Sequence, residues 1–169
     1  MNWTQLLEGE VEAAYHATEG LLRHVDKDKL SWKPATGANW MTTAQLLRHI
    51  PDACGACMKG FVTGDWGIPA DASPEDMLPS AEKMPSVKSV AEAEKLLAAD
   101  KKIALDMIKK AGEKDLASKK VAAPWDPTAH PLGRQLLHMV GHLTHHKAQL
   151  FYYLKLQGKP VSTENLYGM

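Results

Sequence analysis

Cysteine is scarce, with two in 169 residues. That excludes a disulfide-stapled framework and leaves burial of apolar surface to hold the fold. Neither charge sign is in excess, since 20 lysines and arginines face 20 aspartates and glutamates. A nucleic-acid-binding surface needs a clustered basic excess, so the balance argues against that class of function. No apolar run approaches the roughly 20 residues of a membrane span. The first residues, Met-Asn-Trp-Thr-Gln, lack the charged-then-apolar pattern of a secretory leader. We therefore expect a cytoplasmic protein with neither membrane nor nucleic-acid partners. Sustained β-alternation is also missing, and the apolar residues follow a helical period instead.

The length suits one domain over residues 1–169. Four helices are expected. The first runs from Trp3 to Val25, with Trp3, Leu6, Leu7, Val11, Ala14, Tyr15, Leu21, Leu22 and Val25 on its apolar stripe. Residues 26–39 contain Pro34 and Gly37 and read as a connection. The second helix starts at Thr42, which has capping-box spacing to Gln45, and continues to Phe61. Pro51 lies inside it and must kink it or end its first part, because proline lacks an N–H and clashes with the preceding turn. Residues 64–85 are rich in Pro, Gly, Asp and Ser and read as a long loop. The third helix opens at Ser89, again with capping-box spacing to Glu92, and Gly112 is its expected stop. A connection with Pro124, Trp125, Pro127 and Pro131 leads to the fourth helix, Leu132 to Gln157. The expected fold is an all-α four-helix bundle with one long loop between the second and third helices.

The fourth helix carries the chemistry. His138, His142 and His146 recur every fourth residue. Each such step turns a helix by only about 40°, so the three imidazoles share one narrow stripe, continued by Gln149 and Tyr153. A histidine pair at i and i+4 can hold one metal ion from a single helix. A catalytic zinc site commonly adds a third protein ligand and keeps an open position. His49 is the best candidate, since Leu46, Leu47 and Ile50 around it turn its helix face toward the bundle. His16 and His24 on the first helix and His130 in a proline-rich connection suit the role less well. The expected metal ligands are thus His49, His142 and His146, with His138 one turn away as pocket wall and His145 off the stripe. Gln149, Asp52 or a backbone carbonyl would orient the ligand rings through their second nitrogens.

Other candidates carry plainer readings beside them. Asp52 follows His49 by three residues and can activate a water or support a ligand histidine; helix-surface aspartates are also common. Asp52 and His138 are the weak candidates for proton handling. Cys54 and Cys57 lack the strand-helix setting of a redox pair and read as small buried helix residues. Leu143 stands where a metallopeptidase would have its glutamate, which disfavours that mechanism. Trp32, Trp40, Trp66 and Trp125 lie in or beside connections, where they can form a pocket mouth.

The chain resembles the DinB/YfiT family of metal-binding four-helix proteins. The resemblance lies in His-Met-Val-Gly-His-Leu-Thr-His-His-Lys-Ala-Gln-Leu (residues 138–150), in Leu-Ser-Trp-Lys-Pro (residues 30–34), and in the later Gly37, Trp40 and Leu47-Arg48-His49-Ile50. Tyr-Leu-Lys-Leu-Gln-Gly-Lys-Pro-Val (residues 153–161), with Leu-Tyr-Gly near the end, completes it. Lys147 and Ala148 depart from the family's usual Arg-Gly before the glutamine. The resemblance implies a metal triad of His49, His142 and His146 around one divalent ion, zinc or nickel, with open coordination positions. It also implies a homodimer in many members.

An open metal site can lower the pKa of water for hydrolysis or activate a thiol for substitution. Thiolate is a soft ligand that suits zinc. Family members include transferases that use bacillithiol, mycothiol or glutathione, and others described only as metal-dependent hydrolases. The expected activity is therefore a metal-dependent transferase. It would activate a low-molecular-weight thiol toward a small-molecule substrate. A hydrolase using activated water and a non-catalytic metal-binding stress-response module are the alternatives.

Overall fold

Asn2 begins the first helix by accepting a hydrogen bond from the Gln5 backbone N–H, and the Gln5 side-chain oxygen accepts one from the Asn2 N–H. This helix, α1, spans Trp3–Leu22 in the computed structural model, which describes residues 1–69 and 79–169. Of the expected stripe, Leu7, Val11, Ala14, Tyr15, Leu21, Leu22 and Val25 are buried, and Trp3 and Leu6 are half-buried. Backbone bonds from Thr43 to Trp32 and from Ala44 to Leu30 tie the connection to the start of α2, Thr43–His49. Thr42 and Gln45 form the expected capping box there.

Pro51 breaks the second helix as its chemistry requires. A single 3₁₀ turn over Ile50–Asp52 separates α2 from α3, Gly55–Thr63. The restart of α3 is held from another helix. Asp100 accepts hydrogen bonds from Gly55 N at 2.9 Å and Ala56 N at 2.7 Å, and from the Tyr15 hydroxyl at 2.5 Å. It therefore satisfies two amides that no intrahelical carbonyl can reach. Gly55 permits this approach: a Cβ there would lie 2.1 Å from the Asp100 carbonyl oxygen.

The long helix α4 spans Val90–Ser118; Ser89 accepts from the Glu92 N–H, but the Glu92 carboxylate takes the Lys88 N–H instead of that of Ser89, so the expected capping box is half made. Gly112 does interrupt it, with φ 68° and ψ 164°, but the helix resumes rather than stopping. The bend brings Glu113 to the first turn of α1, where its carboxylate accepts from the Trp3 and Thr4 N–H groups, both at 3.1 Å. Leu116, beyond the bend, is fully buried.

The expected connection before the last long helix is instead a hairpin. Strands β1, Lys120–Ala123, and β2, Asp126–Pro131, pair antiparallel with an irregularity between Val121 and Ala123. Helix α5, Leu132–Leu156, follows directly, and a short α6, Thr163–Tyr167, closes the chain. Helix α1 packs on α4 and α5, and α3 packs on the same two helices, giving a helical bundle whose core is continuous. The limb returning from the loop is pinned where Gln45 Nε2 donates to the Ala81 and Met84 carbonyls, at 2.7 and 3.0 Å. The middle of the expected loop over 64–85, residues 70–78, lies outside the described residues.

Two predictions follow from the clamp on α3. Gly55→Ala lowers unfolding free energy by about 1–3 kcal/mol in urea titrations, the usual cost of forcing atoms into a packed interior. The second concerns pH. Burial pushes Asp100 up to about 6, against the pull of its three donors toward the charged form. Its folded pKa lies above its unfolded value of about 3.9. The folded state therefore holds the extra proton, and stability falls as pH rises through that window. Wild type should lose stability relative to Asp100→Asn between pH 4 and pH 6, with no further divergence above.

Candidate metal centre

His49 ends α2 at the proline break, and His142 and His146 project one turn apart from α5. The three rings meet. His49 Nε2 lies 3.1 Å from His146 Nε2, which lies 2.9 Å from His142 Nε2. One ligand atom from each residue falls within 4.8 Å of the others. Tetrahedral coordination with bonds of about 2.1 Å spaces nitrogens about 3.4 Å apart, so the observed spacing is close to that of a bound ion.

The His146 tautomer suits coordination. His146 Nδ1 lies 2.8 Å from Gln149 Oε1, and with that oxygen as acceptor Nδ1 carries the proton. The backbone of Ala53 lies beside His142 and favours its charged form against the effect of burial. His146 is thus protonated on the nitrogen away from the cluster, and its Nε2 lone pair faces the other two rings. Such a concentration of ring nitrogens is relieved by a cation. The proline break contributes directly, because Ala53 sits where the second helix is interrupted.

All three rings are half-buried, and all are neutral at ordinary pH. Burial lowers His49 to about 4, and the neighbouring His146 and His142 add to the shift. Burial also lowers His142 and His146; the bond to Gln149 opposes the latter shift. Neutral imidazole is the form that binds metal.

Beside the triad lies a cavity of about 620 Å³. His49 and His142 line it together with Asp52 and His138, so the structure brings both candidate proton-handling residues to the same chamber. Asp52 is ion-paired to Arg48 at 2.5 Å. His138 is exposed and stands one turn before His142. His145, expected to be structural or exposed, is exposed and also borders this space. Trp125 reaches it from the hairpin, and Ile68 and Met139 add apolar wall. Trp66 packs edge-on against Phe61 and Trp125, whereas Trp32 and Trp40 pack edge-on against Tyr153.

The cysteines divide. Cys54 is fully buried at the start of α3, and burial pushes its thiol up. Cys57 is partly buried and borders the cavity; burial, then Asp100 and Asp52, push it up to about 12, so it stays a thiol.

A helical bundle with three histidines converging from two helices defines a class of potential metal-binding proteins. The sequence model of the DinB superfamily matches residues 10–150, and the chain belongs to that superfamily. A solved structure of a candidate DinB family member from Exiguobacterium sibiricum is similar across 98% of both chains, with a TM-score of 0.65 and 20% identity. No curated protein matches the chain.

The triad makes a direct prediction. Losing a residue that only orients a ligand usually costs 10–100-fold in metal affinity, so Gln149→Leu should weaken Zn(II) binding by about that factor. Alanine at His49, His142 or His146 should cost more than about 100-fold. Competition against a zinc-binding dye measures both. Equal affinity in wild type and all three alanine variants overturns the assignment.

Proposed function

We infer that this protein is a metal-dependent enzyme that activates a low-molecular-weight thiol for transfer to a small electrophilic substrate. The observation that carries the reading is the pairing of a neutral His49–His142–His146 cluster with a chamber that, among the described residues, offers no carboxylate free of an ion pair. Among the described residues lining it, Asp52 is the carboxylate, and Arg48 holds it. Hydrolysis must take a proton from water, a weak acid, and deliver one to the leaving group. A thiol is the stronger acid and gives up one proton to a single acceptor, for which His138 suffices.

His49, His142 and His146 would hold a divalent ion, zinc or nickel, through their Nε2 atoms. When bound, the ion supplies Lewis acidity that lowers the pKa of a thiol entering an open position. Gln149 keeps the His146 ring oriented. His138, in the chamber wall and unburdened by an ion pair among the described residues, accepts the thiol proton. Asp52, tied to Arg48, holds negative charge near His49. Trp125, Met139 and Ile68 exclude water from the electrophile. The protein would work as a homodimer in the cytoplasm.

Metal-loaded protein should consume chlorodinitrobenzene faster with at least one of glutathione, cysteine, bacillithiol or mycothiol. A chelator should abolish the gain, and added zinc or nickel should restore it. His138→Ala should lower kcat by about 10²-fold, the low end for a general base, while leaving zinc content unchanged. Chelator-sensitive cleavage of esters, amides or lactones with no thiol-dependent turnover overturns the reading in favour of a hydrolase. No turnover of any kind points to a binding module.

A further inference from the structure

The stripe that carries the metal ligands does not end at His138. Stepping back by four along α5 reaches Arg134, and His130, four residues earlier in sequence, stands at the end of β2 beside it. These upstream residues open into a second chamber of about 440 Å³. It shares Trp125, His138 and Met139 with the chamber beside the triad, so the two spaces adjoin across those side chains.

Arg134 is placed to receive an anion. Its Nη1 lies 2.6 Å from His130 Nδ1, and since guanidinium only donates, that nitrogen is the acceptor. No carboxylate among the described residues lies within 4 Å of Arg134. Asp126, the carboxylate in the chamber wall, accepts instead from the Thr128 N–H at 2.9 Å. Gln135, 6% exposed, is tethered to the Val121 carbonyl and adds a fixed amide to the lining. The remaining wall is largely apolar, from Phe61, Trp125 and Leu137.

We propose that this second chamber is a carboxylate-binding subsite, in which Arg134 receives the carboxylate of an elongated, mostly apolar ligand whose reactive end lies at the histidine triad. The inference rests on the thiol-activating reading for what happens at that reactive end. The guanidinium fork matches a carboxylate in plane, and His130 fixes one of its arms. A phosphate dianion fits poorly, because one guanidinium faces it and Asp126 adds negative charge nearby. The helix sets the length. Arg134 and His142 are eight residues apart, which is about 12 Å along α5. A chain of several carbons, lying against Trp125 and Met139, spans that distance once the arginine side chain reaches in.

Isothermal titration calorimetry separates the parts. Zinc-loaded wild type should bind ω-mercaptohexanoate about tenfold more tightly than mercaptohexanol, a typical gain for one hydrogen-bonded charge. Arg134→Gln should bring the two ligands to equal affinity without weakening mercaptohexanol. Arg134→Lys should restore part of the preference. Metal-free protein should still favour hexanoate over hexanamide, and lose that preference in Arg134→Gln. A carboxylate preference that is absent in wild type, or unchanged in Arg134→Gln, overturns the subsite. Failure of mercaptohexanol to bind in a zinc-dependent way overturns the thiol reading instead, and the hexanoate comparison in metal-free protein then decides the subsite alone.

Discussion

The Asp100 carboxylate is the contact on which the site's geometry depends. Pro51 forces the second helix to stop, and the chain must then restart in a new direction with unsatisfied amides. Asp100 takes two of those amides and ties them to α4, while the Tyr15 hydroxyl binds the same carboxylate from α1. Three helices thereby share one buried acceptor. The interruption it stabilises leaves His49 at the end of α2 and the Ala53 backbone beside His142. Without a fixed restart, neither the third ligand nor the orientation of the second would be defined.

Burial of an acid at this point has an electrostatic cost, visible in the raised Asp100 pKa. The same low-polarity surroundings lower the basicity of the three histidines. The two shifts act in opposite directions on function. A proton on Asp100 would leave the clamp partly satisfied, since a protonated carboxyl still accepts. A proton on a triad ring would remove a lone pair from the cluster outright. The interior therefore tolerates protonation where it is structural and resists it where coordination needs free nitrogen.

The parts legible in the sequence were those with strong local rules. The histidine stripe, the Thr42 capping box, the Ser89 cap and the Pro51 break each follow from spacing or from one residue's covalent chemistry, and each is present. The hairpin over residues 120–131 was hidden because its strands are short, alanine-containing and interrupted by Pro127, so no alternation shows. Gly112 signalled a stop correctly in its backbone conformation but wrongly in its consequence. The helix resumes because Leu116 gains burial and Glu113 caps α1, contacts made across more than a hundred residues. Asp100 was invisible for a similar reason. It lies in a lysine-rich stretch where an aspartate reads as surface, and only the distant approach of Gly55 makes it buried.

The stripe itself explains why one helix is not enough. Four residues of α-helix rise about 6 Å, and two imidazoles leaning toward each other can close that gap on a common point. A third histidine another four residues away is about 12 Å from the far member, beyond what a ring on a short stem can bridge. His138 is therefore excluded from the cluster by helix geometry although it shares the same face. The third nitrogen must come from a different backbone, and His49 supplies it from α2. That division leaves His138 free of the ligand set and facing the chamber. A continuous row of identical side chains is thus split into different chemical roles by the rise of the helix and the position of the proline break.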